Sequence, residues 1–362
     1  MKIAYDYKIF WSQRYGGISR YFTNLFKKLN EQNVNYKVFA PFFKNQYLSE
    51  LENKNINGNY INDNIPFTSN LIKLYNEIVC ARNINKWQPD LIHYTYYYDR
   101  IEKKNLSIVT VYDLIHEITS SKMNKIVKPK QKMLDISDHV ICISKNTKND
   151  LLNFYEIDEK KISVIYLGGN HLEERMSALP EKIINDIPFI LYVGSREKYK
   201  NFEFLIKGYS KSKRLLSSVN IVLFGGGKLK KKEKNLIYQL KIDENKIIQF
   251  DGNDSDLKNL YKKAKAFVFP SLYEGFGLPL LESLENNCPI ACSDIPVFRE
   301  ILNDNAFYFN PESYESLISS LENAIFTKKE IEINRKYESL KNKFSWSKCG
   351  IDTLNLYKNI IG

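Results

Sequence analysis

The sequence predicts an α/β protein made of two doubly wound domains, each a parallel sheet wrapped by helices, and three observations carry that expectation. At 362 residues the chain is long enough for about two domains. In both halves short β-branched and aromatic runs alternate with stretches of helical spacing. Glycine turns recur where a strand-like run gives way to a helix-like one, which is the edge at which open α/β sheets bind ligands.

In the first half the strand-like runs are "KIAYDY", "NYKVFAP", "PDLIHYT", "SIVTVYD", "HVICIS" and "KISVIYL", separated by helical stretches such as "ISRYFTNLFKKLNEQ" and "TKNDLLNFYE". The second half repeats the pattern. Its strands read "PFILYVGS", "VNIVLFGGG", "KIIQFDG", "KAFVFPS", "CPIACSD" and "AFYFNP", and its helices "NFEFLIKGYSKS", "SDLKNLYKKA" and "PLLESLENN". Between the halves, "GGNHLEERMSALPEKIINDIP" mixes glycine, proline and charge without a strand signal. The expected division is therefore a domain over 1–168, a linker over 169–188 and a domain over 189–345. The tail 346–362 reads as one amphipathic helix with Trp346, Ile351, Leu354 and Tyr357 near helical spacing.

Composition narrows the class. Hydrophobic residues at 43% and charged residues at 26% describe an ordinary folded protein. No basic leader with an apolar stretch opens the sequence, and no run reaches the length of a spanning helix, so the expectation is a cytoplasmic protein without a transmembrane anchor. Cys80, Cys142, Cys288, Cys292 and Cys349 are odd in number and include no Cys-x-x-Cys pair, which favours reduced thiols, with Cys288 and Cys292 as small core residues. The formal charge of +11 would attract nucleic acid, anionic lipid or phosphorylated substrates, but the excess is spread over both halves and no nucleic-acid motif accompanies it. Of its two local clusters, "KLKKKEK" reads as a solvated face. "SKMNKIVKPKQK" is open between solvation and contact with an anionic membrane.

The chemistry concentrates in "PSLYEGFGLPLLESLENNCP", where Glu274 and Glu282 bracket a Gly-Phe-Gly turn. The turn lies between the end of the strand "AFVFP" and a helix that can begin at Pro279. Amides at that helix start favour an anion, and Gly275 and Gly277 let a phosphate or sugar approach the backbone. A carboxylate there would repel a phosphate unless the ligand also brings hydroxyl donors, so Glu274 points to a sugar attached to a phosphate and Glu282 to a ribose diol. The plainer alternative is that Glu274 caps the helix and Glu282 is an exposed helix residue. The turn "GSREKYKN" carries Arg196 and Lys200, a pair suited to neutralising a diphosphate leaving group without metal, or else a solvated basic turn. A third turn brings Gly16 and Gly17 to the carboxyl edge of the first sheet, without the full dinucleotide pattern.

These stretches together resemble the retaining glycosyltransferases of family 4, whose GT-B fold sets two Rossmann-like domains facing each other across a cleft. The resemblance runs over nearly the whole chain: Gly16-Gly17, "ICISKNTKNDL" with "KISVIYLGG", "YVGSREKYKN", "FDGNDSDLKNLYKKAKAFVFPS", and "EGFGLPLLE" with "PIACSDIPVFREI". It implies a catalytic set of Arg196, Lys200 and Glu274, in which Arg196 and Lys200 hold the donor diphosphate and Glu274 contacts sugar hydroxyls. Gly275 and the amides of Phe276, Gly277 and Leu278 would line the sugar and phosphates, Glu282 would bind ribose, and Gly17 would face the same cleft. It also implies that the tail helix crosses back to the N-terminal domain.

One departure concerns the acceptor side. Many relatives have His-Asp at the end of the strand read here as "IVTVYD", whereas this chain has Tyr112-Asp113 with His116 three residues on. Asp113, His116 and His93, the last beside "YTYYYD", are the candidates for acceptor contact, with a packed histidine as the alternative for both histidines. Asp254 and Asp256 resemble the Asp-x-Asp metal motif of another glycosyltransferase fold, but Asp256 before "LKNLYKKA" reads as a helix N-cap, and no metal is expected. "LFGGGK" lacks the ending of a P-loop.

The resemblance implies transfer of a hexose-type sugar, with retention, from a nucleoside-diphosphate donor to a sugar or lipid-linked saccharide, without cofactor, metal or nucleic acid. The form "GSREKYKN" leans toward GDP-linked mannose-type donors, and the setting toward bacterial surface polysaccharide or lipopolysaccharide assembly at the inner face of the cytoplasmic membrane. The rival readings are a sugar-nucleotide epimerase, a non-catalytic nucleotide-sugar sensor and a nucleic-acid binder.

Overall fold

The computed structural model describes residues 1–51, 54–62, 69–99, 105–118, 123–169, 172, 188–327 and 330–362, with only the backbone for 123–125 and 330–336. The expected linker at 169–188 lies almost wholly outside the described residues. The chain divides into two compact units, Met1–Leu167 with Trp346–Gly362, and Gly168–Ser345.

Both units are built on parallel sheets. In the first, strands β1 (Lys2–Asp6), β2 (Asn35–Phe43), β3 (Ile56–Tyr60), β4 (Leu91–Tyr94), β5 (Leu106–Val111), β6 (His139–Cys142) and β7 (Ile162–Val164) take the order β3-β2-β1-β4-β5-β6-β7. In the second, β8 (Phe189–Val193), β9 (Asn220–Phe224), β10 (Ile247–Phe250), β11 (Ala266–Phe269), β12 (Ile290–Ser293) and β13 (Phe307–Phe309) take the order β10-β9-β8-β11-β12-β13. The central strands are near-continuous apolar runs because helices cover both faces of such sheets: every residue of β8 and β11 is buried. Strand order reverses between β1 and β4 and again between β8 and β11. Chain leaving the carboxyl ends of two strands at such a switch point diverges to opposite faces and opens a crevice for ligand.

The helix Gly17–Glu31 buries Tyr21, Phe22, Leu25, Phe26 and Leu29 on one face. Its Phe26 packs on Tyr5 and Tyr36, with ring centroids 4.7 and 5.3 Å apart. The C-terminal helix Trp346–Ile361 lies against it, with Trp346 at 6.3 Å from the Tyr21 ring. Approach is close enough that a Cβ added at Gly350 would come within 2.7 Å of the Lys28 Cβ. The inward face is Trp346, Cys349, Gly350, Thr353, Leu354 and Tyr357. Ile351, expected on it, is exposed.

His93 corrects a sequence expectation. It sits inside β4 and is fully buried, with Nδ1 2.6 Å from the Tyr357 hydroxyl and Nε2 2.8 Å from Thr110 Oγ1. The Tyr357 hydroxyl also pairs with that of Tyr5 at 2.8 Å. The imidazole is therefore a satisfied core group that ties the C-terminal helix to the sheet, and it is closed to any acceptor. Burial lowers its pKa from the ordinary 6.5 to about 3. The unfolded chain takes up this proton below about pH 6.5 and the folded chain only near pH 3, so the stability contributed at neutral pH is lost as pH falls through that window. Between pH 6 and 4 the protein is expected to lose about 1.4 kcal/mol more per pH unit than a His93→Gln variant, read from denaturant melts at each pH. Parallel curves for the two proteins would remove His93 as the acid-sensitive group.

Candidate active site

The neighbouring strands β8 and β11 flank the switch point of the second unit, and their following loops carry the candidate residues. After β8 the chain passes Gly194 and a single helical turn, Lys198–Lys200, and then Asn201 takes a left-handed conformation (φ 54°) at the start of the helix Phe202–Lys211. After β11 it runs to Gly277, also left-handed at φ 109°, and enters the helix Leu278–Glu285 with Pro279 in its first turn. The Leu272 N–H donates to the Tyr199 carbonyl at 2.8 Å, which stitches the two loops together.

That stitch brings Lys200 to Glu274. Lys200 Nζ lies 2.6 Å from Glu274 Oε1, with the side chains only 14% and 12% exposed. The ammonium also sits 5.1 Å from the Phe269 ring centroid and 5.2 Å from that of Tyr199, so two ring faces help to hold it. Glu274 does not cap the helix: its Oε1 accepts from Lys200, and the cap position is Gly277, which has no side-chain cap bond. Glu282 is not an exposed helix residue either: it is buried, and the Tyr261 hydroxyl donates to its Oε2 at 2.9 Å. Gly275, Phe276 and Gly277 form the buried floor of the loop, and Leu278 opens the helix, whose amino end carries partial positive charge. One side of the site can thus accept hydroxyl protons while the other neutralises an anion.

Arg196 belongs to the same strand-end loop but turns away from that pair, contrary to the expected shared duty. Its guanidinium donates from Nε to Glu233 Oε1 at 3.0 Å, from Nη1 to the Gly225 carbonyl, and from Nη2 to the carbonyls of Gly226, Gly227 and Lys228. The Arg196 side chain is 1% exposed and that of Glu233 9%. The reason is the neighbouring loop after β9, where Gly225, Gly226 and Gly227 all have positive φ (76°, 75° and 69°) and present a row of carbonyls that only a forked cation can gather. Glu233 fixes the far side by accepting from the Lys230 N–H at 2.6 Å.

The first unit holds the remaining candidates. Gly17 is the first residue of its helix and is exposed. Asp113 and His116 lie together after β5, half-exposed, with Asp113 Oδ1 accepting from the Ile115 N–H at 3.1 Å. Beside them is a cluster that sequence reasoning missed. Lys130 Nζ reaches Glu117 Oε1 at 2.7 Å and the Asp113 carbonyl at 2.8 Å, and Tyr155 donates its hydroxyl to the same Glu117 oxygen. Lys130 and Pro129 are buried, so the lysine-rich segment is not a uniformly solvated or membrane-facing face. The only signal for it was the lone acid Glu117 upstream of a run of lysines.

Asp256 also differs from its expected role. The N-cap of the helix Asp254–Lys263 is Asn253, whose side chain accepts from the Asp256 N–H, while Asp256 returns the bond to the Asn253 N–H at 2.9 Å. The acid is the third helical residue of a capping box, one turn later than a cap. Among the described residues no group of three His, Cys, Asp or Glu side chains is placed to hold a metal, and no helix is long and apolar enough to cross a membrane.

Comparison with known proteins places these features in a family. A model described as glycosyl transferases group 1 matches residues 179–339, and one described as glycosyltransferase family 4 matches residues 15–171. The O-antigen chain mannosyltransferase RfbU of Salmonella typhimurium is 32% identical over 187 residues, 51% of this chain and 50% of that protein. A Campylobacter jejuni enzyme named as an N-acetylgalactosaminyltransferase acting on a diphospho-undecaprenol-linked saccharide is 31% identical, over 47% of this chain and 46% of its own. The chain spans about half the length of these curated relatives. Among solved structures, Anabaena Alr3699/HepE in complex with UDP-glucose superposes with a TM-score of 0.75 at 15% identity, covering 99% of this chain and 100% of that one, which shows the GT-B fold.

Proposed function

The chain belongs to the family 4, group 1 glycosyltransferases, and from that premise we propose that it moves a hexose-type sugar from a nucleoside-diphosphate donor to an acceptor hydroxyl with retention at the anomeric carbon. The observation that carries the reading is the Lys200–Glu274 pair, seated between two switch-point loops beside a helix amino end. Lys200 is the cation for the departing diphosphate, Glu274 accepts from sugar hydroxyls, and Glu282 accepts from the ribose diol. In a front-face displacement the leaving diphosphate takes the acceptor's proton, so no protein base is needed. The charge on that leaving group is met by a fixed ammonium and a helix terminus, an arrangement that works without metal.

The relatives named as O-antigen chain mannosyltransferases support a mannose-type donor, the one named for a diphospho-undecaprenol-linked saccharide supports a lipid-linked acceptor, and work at the cytoplasmic face of a membrane is part of the same proposal. A thermal-shift panel of GDP, UDP, ADP, CDP and TDP, with and without magnesium, tests the donor site. One nucleotide is expected to raise the melting temperature without metal, by the equivalent of about 2.7 kcal/mol at a hundredfold excess over its dissociation constant. A shift by generic nucleic acid and by none of the five would overturn the transferase reading. Isomerisation of the donor with no acceptor present would favour the epimerase.

A further inference from the structure

Beside Asp113 and His116 the first unit buries a charged cluster that stability alone does not account for. Glu117 stands on the single helical turn Ile115–Ile118 after β5. Two helices grip it: Lys130, on the helix Met123–Ile136, reaches its Oε1 at 2.7 Å, and Tyr155, the cap residue at the end of the helix Lys145–Phe154, donates to the same oxygen. The side chains of Lys130 and Glu117 are 1% and 3% exposed. Lys130 also donates to the Asp113 carbonyl at 2.8 Å and lies 5.4 Å from the Tyr97 ring centroid. The other carboxylate oxygen, Glu117 Oε2, is buried with no hydrogen-bond partner among the described residues. A buried ion pair recovers little more than its own desolvation, and apolar side chains of similar volume commonly replace one without loss of stability. An orphaned acceptor adds a further cost. The cluster is thus better explained by what it holds than by what it contributes to folding.

What it holds is the turn that carries the candidate acceptor contacts. Tyr112 is closed to a ligand, since it is buried and its hydroxyl donates to the Thr95 carbonyl at 3.2 Å. Asp113 and His116 are the half-exposed polar residues beside it. Lys130 fixes the backbone at Asp113, and through Glu117 it fixes the chain one residue beyond His116, so both ends of the turn are tied to one ammonium. A carboxylate accepts hydroxyl protons and an imidazole donates or accepts, a combination suited to a sugar diol. We propose that Glu117 and Lys130 are positioning residues for the acceptor: they hold the turn 113–116 so that Asp113 and His116 meet hydroxyls of the incoming sugar, which neither Glu117 nor Lys130 touches. This deepens the transferase reading and rests on it. A shift of about 1 Å at such a turn is enough to cost about 100-fold in rate.

Stability and acceptor use separate a positioning role from a structural one. Lys130→Met leaves the Glu117 carboxylate buried and unpaired and is expected to lower the melting temperature. The triple variant Glu117→Leu, Lys130→Met, Tyr155→Phe leaves no charge in the cluster and should melt closer to the wild type than Lys130→Met does. Transfer is read as release of nucleoside diphosphate from GDP-mannose, UDP-glucose or UDP-N-acetylgalactosamine, whichever the wild type consumes, with decyl α-mannoside as the acceptor probe. The triple variant is expected to lose about 100-fold in kcat/KM for the glycoside, chiefly through its KM, while the KM for the donor stays within about twofold. Activity that follows the melting temperature, so that the triple variant recovers both, would overturn the proposal, as would a loss that raises the two KM values alike. A triple variant that melts below Lys130→Met would make the cluster a stability device and overturn it as well. A wild type that releases no nucleoside diphosphate from any of these donors, with or without the glycoside, overturns the transferase reading and the inference with it, whereas the other outcomes bear on the inference alone.

Discussion

Glu274→Gln is expected to lower turnover about 100- to 1,000-fold while the nucleoside diphosphate alone binds at least as tightly as to the wild type. In the free protein the Glu274 carboxylate is spent on Lys200, 2.6 Å away and largely out of water. A donor diphosphate must therefore share or take over that ammonium. Removing the negative charge releases Lys200 to the diphosphate and removes a repulsion, so the nucleotide gains. The sugar loses its charged acceptor, so the chemical step suffers. Lys200→Met should act in the opposite sense on binding, weakening the nucleotide about 100-fold, because an uncompensated carboxylate is then left beside the phosphates. Isothermal titration of the same nucleotide against both variants checks the opposite signs. If both weaken binding alike, the pair is a strut between two loops and the proposed division of labour is lost. This pair is more exposed than Arg196–Glu233, 14% and 12% against 1% and 9%, and Lys200 keeps two ring faces, so the melting temperature should fall less than for Glu233→Gln, and a drop as large would assign the lost activity to folding.

The strands of this fold were legible because buried parallel strands are written as unbroken apolar runs, such as "FILYV" and "AFVF", and because left-handed positions such as Gly277 call for glycine. The expectation placed Glu274, Glu282 and the glycine loop at a strand-to-helix junction, and the structure has them there. What the sequence does not encode locally is the direction of a long or central side chain. His93 stands near the end of a short run, but its ring is enclosed by Tyr357, 264 residues away, which periodicity within one segment cannot reveal. Lys130 reads as one more surface lysine until Glu117 folds back onto it. Asp256 missed its assigned place by one turn because Asn253, a cap of equal quality, precedes it. In each case a partner remote along the chain or a competing neighbour of similar propensity decided the outcome.

Arg196 shows the same effect with the largest consequence for stability. Its partner Glu233 lies 37 residues on, and the two form an ion pair that is 1% and 9% exposed. Breaking such a pair from one side costs about 3–5 kcal/mol, because the remaining charge stays buried, and Glu233→Gln is therefore expected to lower the melting temperature by roughly 5–15 °C. The variant also separates two roles for Arg196. Were Arg196 a phosphate ligand held in reserve, freeing it from Glu233 would strengthen nucleotide binding. As a clamp on the carbonyls of Gly225 to Lys228, it should instead leave the nucleotide bound more weakly or unchanged, since the loop beside the switch point loses its fixed shape. The clamp further requires that Arg196→Met and Glu233→Gln be strongly non-additive, because either change alone already dismantles one network. Tighter binding by Glu233→Gln, or additive losses in the double variant, would return Arg196 to the diphosphate. Gly226 sets the same limit from the backbone side: at φ 75°, with a Cβ that would fall 2.6 Å from the Gly194 carbonyl and 2.9 Å from Arg196 Nη1, it leaves the loop no other way to meet its clamp.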